Sequence, residues 1–532
     1  MSLLFDAMTS PHAGRANLRF LPHDQRPHTL ADLERDSRRA AAWLRHRGGV
    51  EGSVAGVLTA SYECLAVVFG AWRAGLRVVS LPGPARGMPL EEYGRQLEAM
   101  AALTDASTIF FDPGILGLLP PLGVPVASYG DYLAGRGELD GWAGASFVQF
   151  TSGSTGTPRG IELSLEAIEA NITAMAVWQP PHEGTVECSW LPLSHDMGFI
   201  GFTLHPLCMS AAPWSMPVDM VLIAPEAFVA DPGLWLRTCA EYQVTQTGGP
   251  TFALRLAARS LRARGQRLDL RRLHSIVVGS EPVGAAALRA FEEVVGEHGL
   301  RPEAVCPAYG LAEASLAVTI DDTERPWSAT EVALGSDVGG LPDAGTAELV
   351  ACGRALEGVE LRIADGATVG ELEVRSPSLL TRYVGAPGAA VSAEGWFRTT
   401  DVAHLGSDGQ LYVIGRTDDV LVIAGRNLDA KDLDRVAAAH PATRPGNCAT
   451  VADGAGRYLV VAEPNAPVGD ADALRRAGRE IRVSLAQRFG ASPSAVVFIE
   501  RGTLPKTPSG KLQRNRLADL WHQDRLAVLA SS

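Results

Sequence analysis

Apolar and polar positions alternate along this chain on two scales. Short apolar runs of strand length, "SVAGVLTA" from residue 53 and "RVVSLP" from residue 77, flank the longer run "SYECLAVVFGAWRAG", whose length predicts a helix. The same order returns where "HSIVVGS" precedes "PVGAAALRAFEEVVGEHG". Uninterrupted apolar strands separated by helices predict a parallel sheet with crossover helices on both faces, hence an α/β fold. From about residue 345 the texture changes. "GVELRIAD" and "GELEVRS" are short and bounded by Gly and Pro, as in a small β-barrel-like or distorted-sheet subdomain. A further α+β unit begins near "GRTDDVLVIAGRNL", which reads as an antiparallel hairpin. After it come a helix around "LDRVAAA", a strand "YLVVAEP" and an Arg-rich helix "DALRRAGREIRVSLAQRF".

Length and composition narrow the function. The 532 residues amount to roughly three to four domain lengths, enough for a large core with clefts between domains. No apolar run approaches the roughly 18 residues of a membrane span, and the first twenty residues lack the basic start and apolar run of a secretory signal, so a cytoplasmic setting is expected. The seven cysteines, at 64, 188, 208, 239, 306, 352 and 448, are odd in number and never spaced CxxC. Buried, reduced thiols are expected rather than a zinc site. A net charge of -13 argues against a non-specific nucleic-acid binder. Of 47 Lys plus Arg residues only Lys431, Lys506 and Lys511 are lysines, so a position that keeps an amine invites a question.

The candidate chemistry starts at "FVQFTSGSTGTPRG", residues 147–160, an apolar strand running into a loop of glycines and hydroxyls. Closely spaced glycines let consecutive backbone N–H groups point into one concavity, and Ser152, Ser154, Thr155 and Thr157 add hydroxyl donors, which suits a polyphosphate. Taken alone the loop also reads as a polar turn at a strand end. The pattern GxxxxGK[ST] is absent, because Gly510 and Lys511 are followed by Leu512.

"TSGSTGTPRG" resembles the phosphate-binding signature of the adenylate-forming superfamily, which includes acyl-CoA synthetases, fatty acyl-AMP ligases, peptide-synthetase adenylation domains and luciferases. The family's other segments follow in order: "LPLSHDMG" at 191–198, "YGLAEAS" at 309–315, "GWFRTTD" at 395–401, "GRTDD" at 415–419 and "LPKTPSGKLQR" at 504–514. The resemblance covers roughly residues 30 to 520. It implies a large N-terminal adenylate-binding domain, 1–417, and a small mobile C-terminal domain, 418–532, hinged at Asp418. It also implies a reaction: ATP and an acid give an acyl-AMP with Mg2+ assistance, and a thiol of CoA or of carrier-protein phosphopantetheine then displaces AMP. Bringing two anions together in the first step demands charge neutralisation and positioning.

By the same resemblance the loop Thr151, Ser152, Gly153, Ser154, Thr155, Gly156, Thr157 and Arg159 wraps the β- and γ-phosphates. Tyr309 stacks on adenine while Gly310 permits close approach, Glu313 holds the metal, Asp401 takes the ribose hydroxyls, and Arg416 makes a second ribose or phosphate contact. Lys511 bridges the substrate carboxylate and the α-phosphate, a compact charge on a flexible stem. His195, in the "HDMG" that resembles fatty acyl-AMP ligases in particular, lies near the substrate carboxylate. Met197, Phe199, Ile200 and Phe202 help line or support an acyl tunnel.

The acid's identity is less legible. Pocket residues are expected from Trp190 to Trp214, from "TGGPTFALR" with Gly248, Gly249 and Phe252, and from "VVGSEPV" with Gly279 and Ser280. These fit a hydrophobic carboxylic acid, and none of these segments holds an Asp or Lys placed for an α-amino group. CoA ligase is the first reading, with carrier-protein loading or a non-catalytic acyl-AMP binder as alternatives. One departure stands out: relatives usually read Thr-Gly-Asp where this chain has "TTD". Either Thr400 adopts an ordinary extended backbone without consequence, or its strain weakens adenylation and the chain works on acyl-AMP supplied by another adenylating enzyme.

Overall fold

The apolar runs fold as the parallel strands their pattern predicts. The computed structural model describes residues 2–48, 52–84, 88–151, 159–265, 267–333, 346–417, 420–423, 426–454, 456–465, 470–506 and 512–532. Among them a nine-stranded sheet runs in the order Arg354–Ala355, Ala317–Ile320, Val305–Gly310, Ser275–Val278, Gln246–Gly249, Val186–Ser189, Asp219–Ile223, Asn17–Leu21, Asp24–Thr29. Its six strands from Val305–Gly310 to Asn17–Leu21 are mutually parallel. A second, seven-stranded sheet carries Ser53–Gly56 and Arg77–Ser80 in parallel beside Phe147–Thr151, the strand that enters the glycine-rich loop.

Local chemistry explains the helix ends. Tyr62–Ala74 starts where the Ser61 side chain accepts from the Cys64 N–H and stops at Gly75, whose φ of 81° no β-carbon hinders. One large core holds its Phe69 and Trp72 beside Phe147, Phe199 and Ile168, so the two sheets share packed helices. All seven cysteines are buried and unbridged, as expected of reduced thiols.

The short strands after residue 345 form an open antiparallel sheet, Glu360–Ile363, Val369–Arg375, Phe397–Leu405 and Leu411–Arg416, rather than a closed barrel. The C-terminal unit has the predicted hairpin, Val420–Ile423 with Arg426–Asp429, and the predicted helices Ala430–Ala438 and Ala471–Phe489. They pack on a four-stranded sheet with its own apolar core. Arg516 and Arg525 of this unit reach Glu92 of the large one at 3.0 and 3.6 Å. No helix among the described residues is long and apolar enough to cross a membrane.

Candidate active site

Parallel strands end on one side of their sheet, and ligands of such sheets collect there. In this chain the strand ends open on a cleft of about 1520 Å³, lined from the large sheet by His195, Gly279, Ser280, Tyr309 and Gly310. The four-stranded sheet contributes Thr399, Thr400, Asp401 and Arg416, and the C-terminal unit contributes Lys431, Lys506, Leu512 and Gln513.

Along one wall of the cleft four expected residues meet. Asp401 and Arg416 are register partners on adjacent strands, with Arg416 Nε 3.2 Å from Asp401 Oδ1. Tyr309 donates its hydroxyl to Asp401 Oδ2 at 2.6 Å. Burial first, and then the Asp401 carboxylate, push the Tyr309 phenol well above its usual range. Glu313 lines the same wall, and its Oε1 accepts from the hydroxyl of Tyr383 at 2.9 Å. Its burial raises the carboxyl above the ordinary range, while the Tyr383 bond and the nearby Arg416 work in the other direction. A half-buried carboxylate facing the cleft is the kind of donor that a hard cation such as Mg2+ takes, so Glu313 fits the metal that the resemblance implies. Arg159 stands with its guanidinium carbon 6.0 Å from the centre of the Tyr383 ring and lines the cleft. Tyr383 escaped the sequence reading because no quoted motif contains it.

Two positions are constrained by their own backbone. Gly310 lines the cleft, but a β-carbon there would lie 2.0 Å from the Leu316 carbonyl oxygen, so the chain's own turn demands the glycine. Thr400 is not extended: its φ is 63°, a left-handed conformation that costs a β-branched residue about 1–2 kcal/mol. The strain leaves its neighbours in place. Thr400 Oγ1 accepts from Arg416 Nη2 at 2.9 Å, and its carbonyl accepts from Thr417 Oγ1 at 3.2 Å.

His195 lines the cleft from a turn fixed from both ends. Gln149, on the strand before the glycine-rich loop, donates to the Ser194 carbonyl at 2.6 Å, and the Phe199 N–H bonds the His195 carbonyl at 2.8 Å. The glycine of "HDMG", Gly198, is required because a β-carbon would meet the Pro192 carbonyl oxygen at 2.4 Å. Residues Met197–Leu204 then wind as a π-helix, a form found disproportionately at functional sites. Met197, Phe202, Phe252, Gly279 and Ser280 line the cleft as expected.

Phe199, Gly248 and Gly249 do not line it. The Phe199 ring is fully buried, stacked on Phe147 at 5.0 Å and near Trp72, so it belongs to the core. Gly248 gives room to the Val277 carbonyl, Phe202 and Met197, and Gly249 faces Trp190. Trp214 likewise packs on the core rather than the cleft.

The C-terminal wall accounts for one motif lysine. Lys506 donates to the Gly446 carbonyl at 2.7 Å and to Asn447 Oδ1 at 3.0 Å. Lys506 and Leu512 form a β-bridge, and both line the cleft. Arg514 anchors the following turn through the buried Asp434 at 2.6 Å and the Thr450 carbonyl at 3.0 Å. Lys511, Asp418 and the loop residues Ser152, Gly153, Ser154, Thr155, Gly156 and Thr157 lie outside the described residues. Thr151 ends its strand as the register partner of Arg159.

The profile described as AMP-binding enzyme matches residues 141–384. A putative ligase of Mycobacterium tuberculosis, Rv1013, is 31% identical, over 93% of this chain and 94% of its own. The medium-chain-fatty-acid–[acyl-carrier-protein] ligase TtuA of Teredinibacter turnerae is 30% identical, over 70% of this chain and 62% of its own. Among solved structures, one from a study of fatty acyl-adenylate ligases from E. coli and L. pneumophila superposes with a TM-score of 0.85 at 24% identity, covering 98% of each chain.

Proposed function

This chain belongs to the family of AMP-binding enzymes, and from that membership we propose that it activates a hydrophobic carboxylic acid with ATP and transfers the acyl group to a pantetheine thiol. A carboxylate oxygen attacks the α-phosphorus and pyrophosphate leaves. The thiol sulfur then attacks the acyl carbon, AMP departs, and the thiol proton is released. The single observation that carries the reading is the convergence of Tyr309, Asp401, Arg416 and Glu313 with His195 on one cleft that also reaches Lys506 and Leu512 of the small domain.

Each residue has a task in this scheme. Asp401, already oriented by Tyr309 and Arg416, accepts the ribose hydroxyls, and Arg416 offsets phosphate charge. Glu313 would hold Mg2+, whose charge would offset that of the polyphosphate. His195 orients the acid's carboxylate, and Lys511, immediately before the cleft-lining Leu512, brings its ammonium between carboxylate and α-phosphate. Because Lys506 is committed to Gly446 and Asn447, it is not a substitute for that role. For the thiol step the small domain turns about Asp418 and withdraws Lys511.

The acceptor is a pantetheine thiol, which CoA and a carrier protein share. TtuA is named for carrier-protein loading, and this favours a carrier as much as CoA. Thr400 does not favour a chain that depends on another adenylating enzyme, since Asp401 keeps both partners despite the strained backbone. The test is a half-reaction comparison. Lys511→Ala should abolish pyrophosphate release from acid and ATP while reaction of supplied acyl-AMP with CoA or holo-carrier protein continues. Equal loss of both halves would refute the assigned role, and mass analysis of the second half distinguishes the two acceptors. Absence of pyrophosphate release by the wild type with any acid would favour a non-catalytic binder.

A further inference from the structure

We infer, building on the acid-activating reading, that the acid this chain selects carries a hydroxyl or amino group far from its carboxylate. The evidence is a polar cluster where an alkyl tail would require none. Glu187, Gln246 and His205 all line the cleft, and the three are at least nine-tenths buried. Glu187 and Gln246 are register partners on neighbouring parallel strands, so their side chains share one face of the sheet. Central parallel strands buried on both faces are ordinarily runs of Val, Ile and Leu. A carboxylate and a carboxamide side by side there cost stability unless something uses them.

The protein satisfies this cluster only in part. His205 Nδ1 stands 3.1 Å from Glu187 Oε1, and since an ionised carboxylate only accepts, Nδ1 carries the hydrogen. The other two atoms, Glu187 Oε2 and His205 Nε2, are buried with no hydrogen-bond partner among the described residues. A carboxylate oxygen accepts, so the unpartnered Glu187 Oε2 calls for a donor: a hydroxyl, or an amine whose positive charge Glu187 would balance.

Depth fixes where on the acid this donor must be. Gln246 opens the strand that Gly249 closes, and Glu187 is the second residue of the strand leading to Trp190 and His195. Three residues of strand span about 10 Å, so the cluster lies about that far below the strand ends where Tyr309 and His195 gather. The same cleft is also lined by apolar Met175, Trp178, Leu316 and Ile320. A donor on the α-carbon would stay at the strand ends, whereas one at the far end of an apolar chain meets Glu187 and His205.

The experiment measures pyrophosphate release with ω-hydroxy and ω-amino acids across the medium-chain range, each beside the unsubstituted acid of equal length. The wild type should prefer the substituted acids by about tenfold or more in kcat/KM, the usual effect of a buried polar group left unpaired by the poorer substrate. Glu187→Leu and His205→Leu should erase that preference. Glu187→Gln, nearly isosteric and safe for folding, should lower the preference for the amine more than for the hydroxyl. Equal use of substituted and plain acids by the wild type, or a preference unmoved in all three variants, would overturn the inference. A thermal-shift measurement with each acid alone runs in parallel. Selective stabilisation by the substituted acids without pyrophosphate release would sink the ligase reading and support this one, while no selectivity in either assay would overturn this one.

Discussion

Replacing Gly310 by alanine tests how tightly the proposed nucleotide wall is specified by its own turn. The added β-carbon would start 2.0 Å from the Leu316 carbonyl oxygen and 2.9 Å from its carbon, both backbone atoms that no rotamer change can move. Ordinary contact begins at 3.4 Å, so the two chain segments must part by about 1.4 Å. That separation loosens the 2.9 Å bond from the Leu311 N–H to the same carbonyl, which closes the turn between Tyr309 and Glu313. A displacement of about 1 Å in positioning groups lowers rates about 100-fold, equivalent to about 2.7 kcal/mol of transition-state stabilisation. ATP–pyrophosphate exchange at saturating acid reads this loss. Gly284→Ala, whose β-carbon would meet nothing within 4 Å, is the matched control for the substitution itself. Circular dichroism establishes that the variant is folded. Exchange by a folded Gly310→Ala protein within a few-fold of wild type would refute the reasoning.

Two further outcomes follow from contacts already described. Thr400→Asn keeps an acceptor oxygen for Arg416 and tolerates the left-handed backbone, so it should stabilise the protein by about 1 kcal/mol. An unchanged or lowered midpoint in thermal unfolding would mean that the threonine is not strained. Glu92→Ala removes the carboxylate that Arg516 and Arg525 share between the C-terminal unit and the rest of the chain, a partly exposed contact worth about 1 kcal/mol at most. It should slow adenylation by up to about fivefold and leave the thiol step at least as fast; slowing of both steps alike would argue against this orientation serving adenylation.

The sheets and the small unit were legible because their strands are uninterrupted apolar runs and their helices carry plain caps, as at Ser61 and Gly75. That Tyr309, Glu313, Asp401 and Arg416 share one cleft was legible because they lie in distinctive short segments. The acid side was not. Phe199 reads as a tunnel residue by its place beside "HDMG", but the π-helical winding from Met197 turns that ring into the core. Glu187 sits three residues before the segment searched for charged pocket groups, and in "VECS" it looks like one polar position in a short strand. Its significance comes from Gln246 and His205, which only sheet register and helix packing bring beside it. Thr400 was recognisable as unusual, yet its positive φ required the hydrogen bonds of Arg416 and Thr417 to be seen.

The burial of every cysteine bears on self-acylation. A catalyst that holds a mixed anhydride must keep that electrophile from its own nucleophiles. Cys352 lines the cleft, but burial pushes its thiol up to about 12, so it carries almost no thiolate at neutral pH. Burial raises the thiols of Cys64, Cys208 and Cys448 as well. Lys431 and Lys506 line the same cleft, but the Lys506 ammonium is held by the Gly446 carbonyl and Asn447 Oδ1. Under the proposed reaction, these suppressed thiols would leave the acyl group to a thiol that enters from outside.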